Sequence, residues 1–261
     1  MVVPPRRPPL LAGFGFAVYA VVANYRRSRT IESVLGSVFA TDTLAHIEAG
    51  YPEAMRALVA AVEARDSYTA GHSARVAALA VEIGERLKLR PTELRQLAQG
   101  ALLHDIGKIG IPDQILNKPG RLDPDERAWI EQHPIIGSDI VRRAPSLRRA
   151  VDPVHHHHER IDGAGYPDGL AGDAIPLAAR ITAVADVWDA LTTDRAYRKG
   201  WPEADALAHI VAGRGTHLDE RCVDALVAVL AERGVAVSGV GDPAEVEAAA
   251  EVCHGADEPV G

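Results

Sequence analysis

Residues suited to holding a metal ion recur along this chain: His72, His104-Asp105, His133, His157-His158 and Asp186. Each lies on or beside a segment with helical character. Groups so far apart in sequence act together only if the fold brings several helices to one point. A helix-lined metal site is therefore the first hypothesis, and hydrolysis is the chemistry it suits.

Composition favours such a helical host. Alanine, leucine and valine dominate, and aromatic residues make up only 5%, a balance that leans toward helix over sheet. The 261 residues, 47% hydrophobic and 25% charged, are enough for one large folded domain or two small ones. The formal net charge of −8 argues against a general nucleic-acid-binding surface, though not against a local basic pocket. Cys222 and Cys253 form no close-spaced motif. They point to a reducing compartment and rule out zinc held by cysteine.

The chain divides into four expected regions. Residues 1–29 carry an apolar run from Leu10 to Tyr25 flanked by Arg6-Arg7 and by Arg26, Arg27 and Arg29. The run is shorter than the ~20 residues that span a bilayer comfortably. It admits a short membrane anchor, a signal peptide or a docking helix, and no small-residue cleavage site precedes the later arginines. Residues 30–51 read as a connector helix ended by Gly50-Tyr51-Pro52. It could pair with a second copy, but it has too few heptads for a coiled coil. Residues 52–233 hold the main domain, and 234–261 form a weakly structured tail.

Within the main domain, helices are expected over Glu53–Arg65 and from about Thr69 to Leu87. In the second of these, Ala74, Ala77, Ala78, Val81 and Ile83 are expected near the buried side. Pro91-Thr92-Glu93 opens a helix that reaches His104-Asp105, and Asp123-Pro124-Asp125-Glu126 opens another. His133-Pro134 starts the next, and Ser146 is a candidate cap for the helix leading into the histidine run. Residues 159–176, ERIDGAGYPDGLAGDAIP, form a long glycine-rich loop of the length that is usually functional. Helices resume near Leu177, after Pro202 and after Asp219.

Taken one at a time, the polar residues are ambiguous. His104-Asp105 follows the apolar run Ala101-Leu102-Leu103, where an ionised carboxylate is costly unless paired or metal-bound. Lys108, four residues after His104, could face a phosphate. The same pattern also fits a surface pair with a solvated lysine. His133 alone reads as a helix-start histidine. Four histidines in a row, 155–158, leave open which rings face inward. Asp186 sits among apolar residues in AVADVWDAL and needs a partner. Together these groups favour metal, and imidazole with carboxylate suits iron, manganese or zinc.

Four stretches then carry a resemblance. RDSYTAGHSARV, ALLHDIGKIGIPDQILNKPGRL, HHERIDGAGYPDGL and ARITAVADVWDALTTDRAYRKG occur in that order. Together they resemble the HD-GYP domain, a branch of the HD phosphohydrolase superfamily, over roughly residues 52–233. The resemblance implies an all-α helical bundle with a long Gly-rich GYP loop. It also implies a metal-dependent phosphodiesterase that hydrolyses cyclic di-GMP to linear pGpG, to GMP or to both through a metal-bridging hydroxide. By the same resemblance, His72, His104, Asp105 and Asp186 hold a first metal. His133, His157 and His158 hold a second, with Asp105 bridging.

Lys108 then lies near the scissile phosphate. Tyr166, in Gly165-Tyr166-Pro167, belongs to a loop that contacts substrate or a protein partner, and Arg195 and Arg198 contact phosphates. Some relatives place a glutamate one turn before the first histidine. Tyr68 stands there in this chain, with Asp66 and Glu63 off that spacing, so two divalent ions, iron or manganese, are expected. The catalytic domain is expected in the cytoplasm, anchored to the inner face of the membrane if residues 10–25 form an anchor. The alternatives are a catalytically silent cyclic-dinucleotide receptor and an HD hydrolase of another nucleotide.

Overall fold

Helix starts in this protein are written in short polar signals. Asp123 Oδ1 accepts the backbone N–H groups of Asp125 and Glu126 at 3.0 and 2.9 Å, and Glu126 returns the bond to the Asp123 N–H. This capping box satisfies donors that a helix start otherwise leaves bare. Glu93 does the same for the N–H of Arg90, with Pro91 in the first turn. Asp219 caps the last helix through the Cys222 N–H.

The computed structural model describes residues 53–66, 71–194 and 199–235. Ten α-helices follow in order: α1 Glu53–Glu63, α2 His72–Arg86, α3 Pro91–Leu103, α4 Asp113–Leu116, α5 Pro124–Ile130, α6 His133–Arg142, α7 Val151–His156, α8 Leu177–Thr192, α9 Glu203–Ala212 and α10 Glu220–Glu232. Short 3-10 turns cover Ile106–Gly110, Pro145–Ala150 and Gly172–Ala174. Among the described residues there is no strand, only an isolated bridge between Arg214 and Leu218. The all-α class expected from the sequence is the one observed.

Helix α2 is the central element, packed on α3, α8 and α10, while α7 lies between α6 and α8. Its buried stripe runs through His72, Val76, Leu79, Ala80 and Ile83, so helical periodicity carries His72 inward with the core. Ala77 and Val81 are buried as expected, but Ala74 is exposed. Two residues past His72, it is turned about 200° around the axis from that stripe. Fully buried Ile83, Leu97, Ile181 and Leu226 each contribute roughly 1.5–3 kcal/mol of burial. A smaller cluster of Ile111, Leu116 and Ile130 holds α4 and α5. Arg65, just past α1, donates to Ile109 O at 2.6 Å, Ile111 O at 3.0 Å and Asp113 Oδ1 at 2.6 Å. That ties α1 to the turn that follows His104-Asp105.

One glycine sets the distance between two site-bearing elements. A Cβ on Gly107 would lie 1.8 Å from His133 O, so only glycine lets the start of α6 come this close to the turn after Asp105. Ser146 caps nothing: Pro145 begins a 3-10 turn, the N-cap is Ala144, and no side-chain cap forms. Among the described residues no helix is long and apolar enough to cross a membrane. The apolar run at 10–25, the connector helix at 30–51 and the tail beyond residue 235 lie outside the described residues.

Candidate metal centre

Five elements converge on Asp105. Its Oδ2 lies 3.3 Å from His104 Nε2 and 4.0 Å from His72 Nε2. Its Oδ1 lies 3.4 Å from His133 Nε2. On the first side, His72 Nε2 is 3.2 Å from Asp186 Oδ1, and His104 Nε2 is 3.9 Å from the same oxygen. On the second, His133 Nε2 is 3.3 Å from His157 Nε2, and the His133 and His158 rings meet edge to face at 5.0 Å. His72, His104 and Asp186 form one set of potential ligands and His133, His157 and His158 another. Asp105 presents one oxygen to each.

Backbone carbonyls fix the ring tautomers. His104 Nδ1–H donates to Ala101 O at 2.7 Å and His133 Nδ1–H to Ile130 O at 2.7 Å. His157 Nδ1–H donates to Pro153 O and Val154 O at 3.0 and 3.1 Å. A neutral ring so held turns the lone pair of Nε2 toward the cluster, the arrangement that metal-ligating histidines use. His104 Nε2 is buried without a hydrogen-bond partner. A buried ring nitrogen left without a hydrogen-bond partner is costly, and a cation among these groups removes that cost. The donor set therefore fits a metal.

Electrostatics separate the two sets. Burial holds His133 down to about 4 and His158 down to about 3. Burial and neighbouring imidazoles likewise push His157 well below its ordinary value. Burial also opposes charge on His72, but the Asp186 and Asp189 carboxylates outweigh it and raise the ring to about 9. His104 is raised too, the charge of Asp105 overcoming burial. Burial resists ionisation of Asp105, yet Lys108 and His104 hold it well below the usual carboxylate range.

Several supporting residues are visible only in the structure. Asp189 Oδ2 accepts His72 Nδ1–H at 2.7 Å, and Arg75 clamps the same carboxylate at 2.6 and 2.9 Å. Asp189 stands one helical turn past Asp186 on α8, and that spacing was the signal available in the sequence. Lys108 Nζ lies 3.1 Å from Asp105 Oδ2 and 3.2 Å from buried Asp66 Oδ2. It therefore neutralises two carboxylates as well as facing the site. Glu63, set aside at the sequence level together with Asp66, accepts the backbone N–H groups of Gly71 and Ser73 at the start of α2.

The GYP loop is pinned from within. Glu159 is buried, and its oxygens accept the N–H groups of Asp168 and Leu170 at 2.7 and 2.9 Å. Tyr166 stacks on His158 at 4.7 Å with 21° between the planes. His157 and His158 face Asp105, whereas His155 and His156 turn to Asp168. Arg195, Arg198 and Tyr68 lie outside the described residues.

A family model described as an HD domain matches residues 56–222. The chain belongs to the HD domain family. The resemblance carried by its four HD-GYP motifs is thereby borne out, and its histidine and aspartate clusters are able to bind metal. The chain is 45% identical over 177 residues to the cyclic di-GMP phosphodiesterase response regulator RpfG of Xanthomonas campestris, covering 67% of this chain and 47% of that protein. It is 40% identical over 214 residues to the cyclic di-GMP phosphodiesterase PA4108 of Pseudomonas aeruginosa, covering 80% of this chain and 50% of that protein. With 3'3'-cGAMP-specific phosphodiesterase 2 of Vibrio cholerae it shares 38% identity over 172 residues, or 65% and 33% of the two chains. This HD domain chain spans about half or less of the length of these curated relatives.

Proposed function

We propose that this chain is a metal-dependent phosphodiesterase that hydrolyses cyclic di-GMP to linear pGpG, GMP or both. The observation that carries the reading is the placement of Asp105, with Oδ2 3.3 Å from His104 Nε2 and Oδ1 3.4 Å from His133 Nε2. A carboxylate so placed can be shared between two ions. His72, His104 and Asp186 would hold one, and His133, His157 and His158 the other. Iron and manganese suit this imidazole and carboxylate set. When bound, such ions supply a nucleophile at neutral pH and stabilise charge on the phosphate.

The remaining work falls to the chain's own groups. Asp189 and Arg75 keep the His72 ring in one orientation, and carbonyls do so for His104, His133 and His157. Lys108 places a positive charge beside Asp105, where it offsets negative charge brought by a phosphodiester. Arg195 and Arg198 would bind the substrate's phosphates through charge-assisted bonds. Tyr166 braces His158 and, from the GYP loop, takes part in contacts to the substrate or to a protein partner. Cytoplasmic placement, an anchor at residues 10–25 and pairing of two copies through the connector belong to the same reading.

The names of the relatives support a second substrate, because some are cyclic di-GMP enzymes and others act on 3'3'-cGAMP. Anaerobically purified protein supplied with iron or manganese, and given each dinucleotide separately, decides between them. Cleavage of cyclic di-GMP is expected. Cleavage of 3'3'-cGAMP alone transfers the assignment to that substrate, and tight binding of cyclic di-GMP without turnover makes the chain a receptor.

A further inference from the structure

The four-histidine run serves two places. Away from Asp105, His155 Nε2 lies 3.3 Å from Asp168 Oδ2, and His156 Nδ1 lies 3.7 Å from the same oxygen. The two rings stand nearly perpendicular, 4.6 Å apart. A hydrogen bond fixes what His155 offers. Ser138 Oγ–H donates to Ile135 O at 2.9 Å, so toward His155 Nδ1, at 2.8 Å, it acts as acceptor. His155 then carries a proton on Nδ1, which leaves Nε2 as the ring atom that faces the carboxylate. His156 Nδ1 is buried with no hydrogen-bond partner. Glu159 Oε1, 3.9 Å from it, is already engaged by the Asp168 N–H. Two ring nitrogens and a carboxylate oxygen are thus gathered at one point, and a cation among them would give the unpartnered His156 nitrogen a partner.

We propose that His155, His156 and Asp168 form a third cation site, for a divalent ion of borderline softness such as zinc, which fastens the GYP loop to α7. The three ligand atoms lie within 4.8 Å of one another, compatible with one ion at the ~2.0–2.2 Å typical of zinc to nitrogen and oxygen. Three protein ligands leave a fourth position for water, and the half-exposed side chain of Asp168 leaves room for it. The supports that such a site needs are built in: Ser138 orients one imidazole, and Glu159 holds the backbone of Asp168. The site adjoins His157 and His158 in the chain, so an ion here couples the position of the GYP loop to that half of the main cluster. It stands independently of the reaction proposed above.

The test counts zinc retained by the full chain after equilibration with Zn²⁺ alone, in the native protein and in Asp168→Ala and His156→Gln. Each variant is expected to hold one equivalent fewer than the native protein. Zinc should also slow proteolysis within residues 159–176 of the native protein and not of the variants. Equal zinc content and an equal zinc response in all three overturn the site and leave a His155 imidazolium–Asp168 ion pair in its place. Loss of all bound zinc in Asp168→Ala overturns it as well, because the site would then not be separate from the main cluster. Should His156→Gln fail to fold, the half-exposed loop residue Asp168 still decides the matter.

Discussion

The two halves of the main cluster hold similar ligands in different electrostatic states. His72 and His104 share their half with Asp186, Asp189 backs His72, and both rings are raised toward the protonated form. His133, His157 and His158 form an all-imidazole half in which burial keeps the rings neutral. A protonated imidazole cannot ligate, so the first half must release protons to take a cation, whereas the second is ready. The contrast shows that carboxylates serve one half twice. They supply charge for the ion, and until the ion arrives they are neutralised by protons on their neighbours.

The largest effect is expected where the halves join. Asp105→Ala should lower turnover by more than about 100-fold, beyond the about 10–100-fold lost when a group that only supports a ligand is removed, and metal analysis should show both halves depleted. Depletion of one half alone would mean that Asp105 is not shared. Asp189→Asn keeps the shape but withdraws the charge that holds His72. It should weaken metal binding in the carboxylate half by about 10–100-fold and spare the imidazole half, as read by competition with a chelator.

Protons sharpen the contrast further. Below about 9 the His72 ring carries a proton that a metal must displace. Affinity of that half therefore rises with pH by up to about tenfold per unit for one proton released, and levels off above that value. The imidazole half, with His133 at about 4 and His158 at about 3, should show a flat affinity through the neutral range. His158→Ala and Asp186→Ala proteins, each keeping one half, allow the two slopes to be measured apart. Equal slopes would erase the distinction. The smallest effect is expected for Tyr166→Leu. Losing a stack of about 1 kcal/mol should reduce turnover only a few-fold, with metal content unchanged.

The sequence made the helices legible where local chemistry decides them. Asp123-Pro124-Asp125-Glu126 announced a helix start, which the structure secures with a capping box, and the period of α2 placed Val81 and Ile83 inside. Ser146 misled because Pro145 starts a 3-10 turn one residue earlier. The direction of the four histidines could not be read, because α7 ends at His156 and helical periodicity stops in the middle of the run. The resemblance named the groups around Asp105, yet not what holds them. Asp189 and Asp66 act through contacts between elements far apart in the chain, and no local pattern records which acidic side chain will meet which partner.

The central claim is that Asp105 joins two metal ions in a centre that cleaves a cyclic dinucleotide. Electron paramagnetic resonance of the anaerobic, manganese-loaded protein, followed by cyclic di-GMP hydrolysis on the same sample, tests it most directly. A spin-coupled manganese pair that accompanies turnover, with both lost in Asp105→Ala, is the predicted result. Only isolated manganese signals, with cyclic di-GMP left intact, would contradict it.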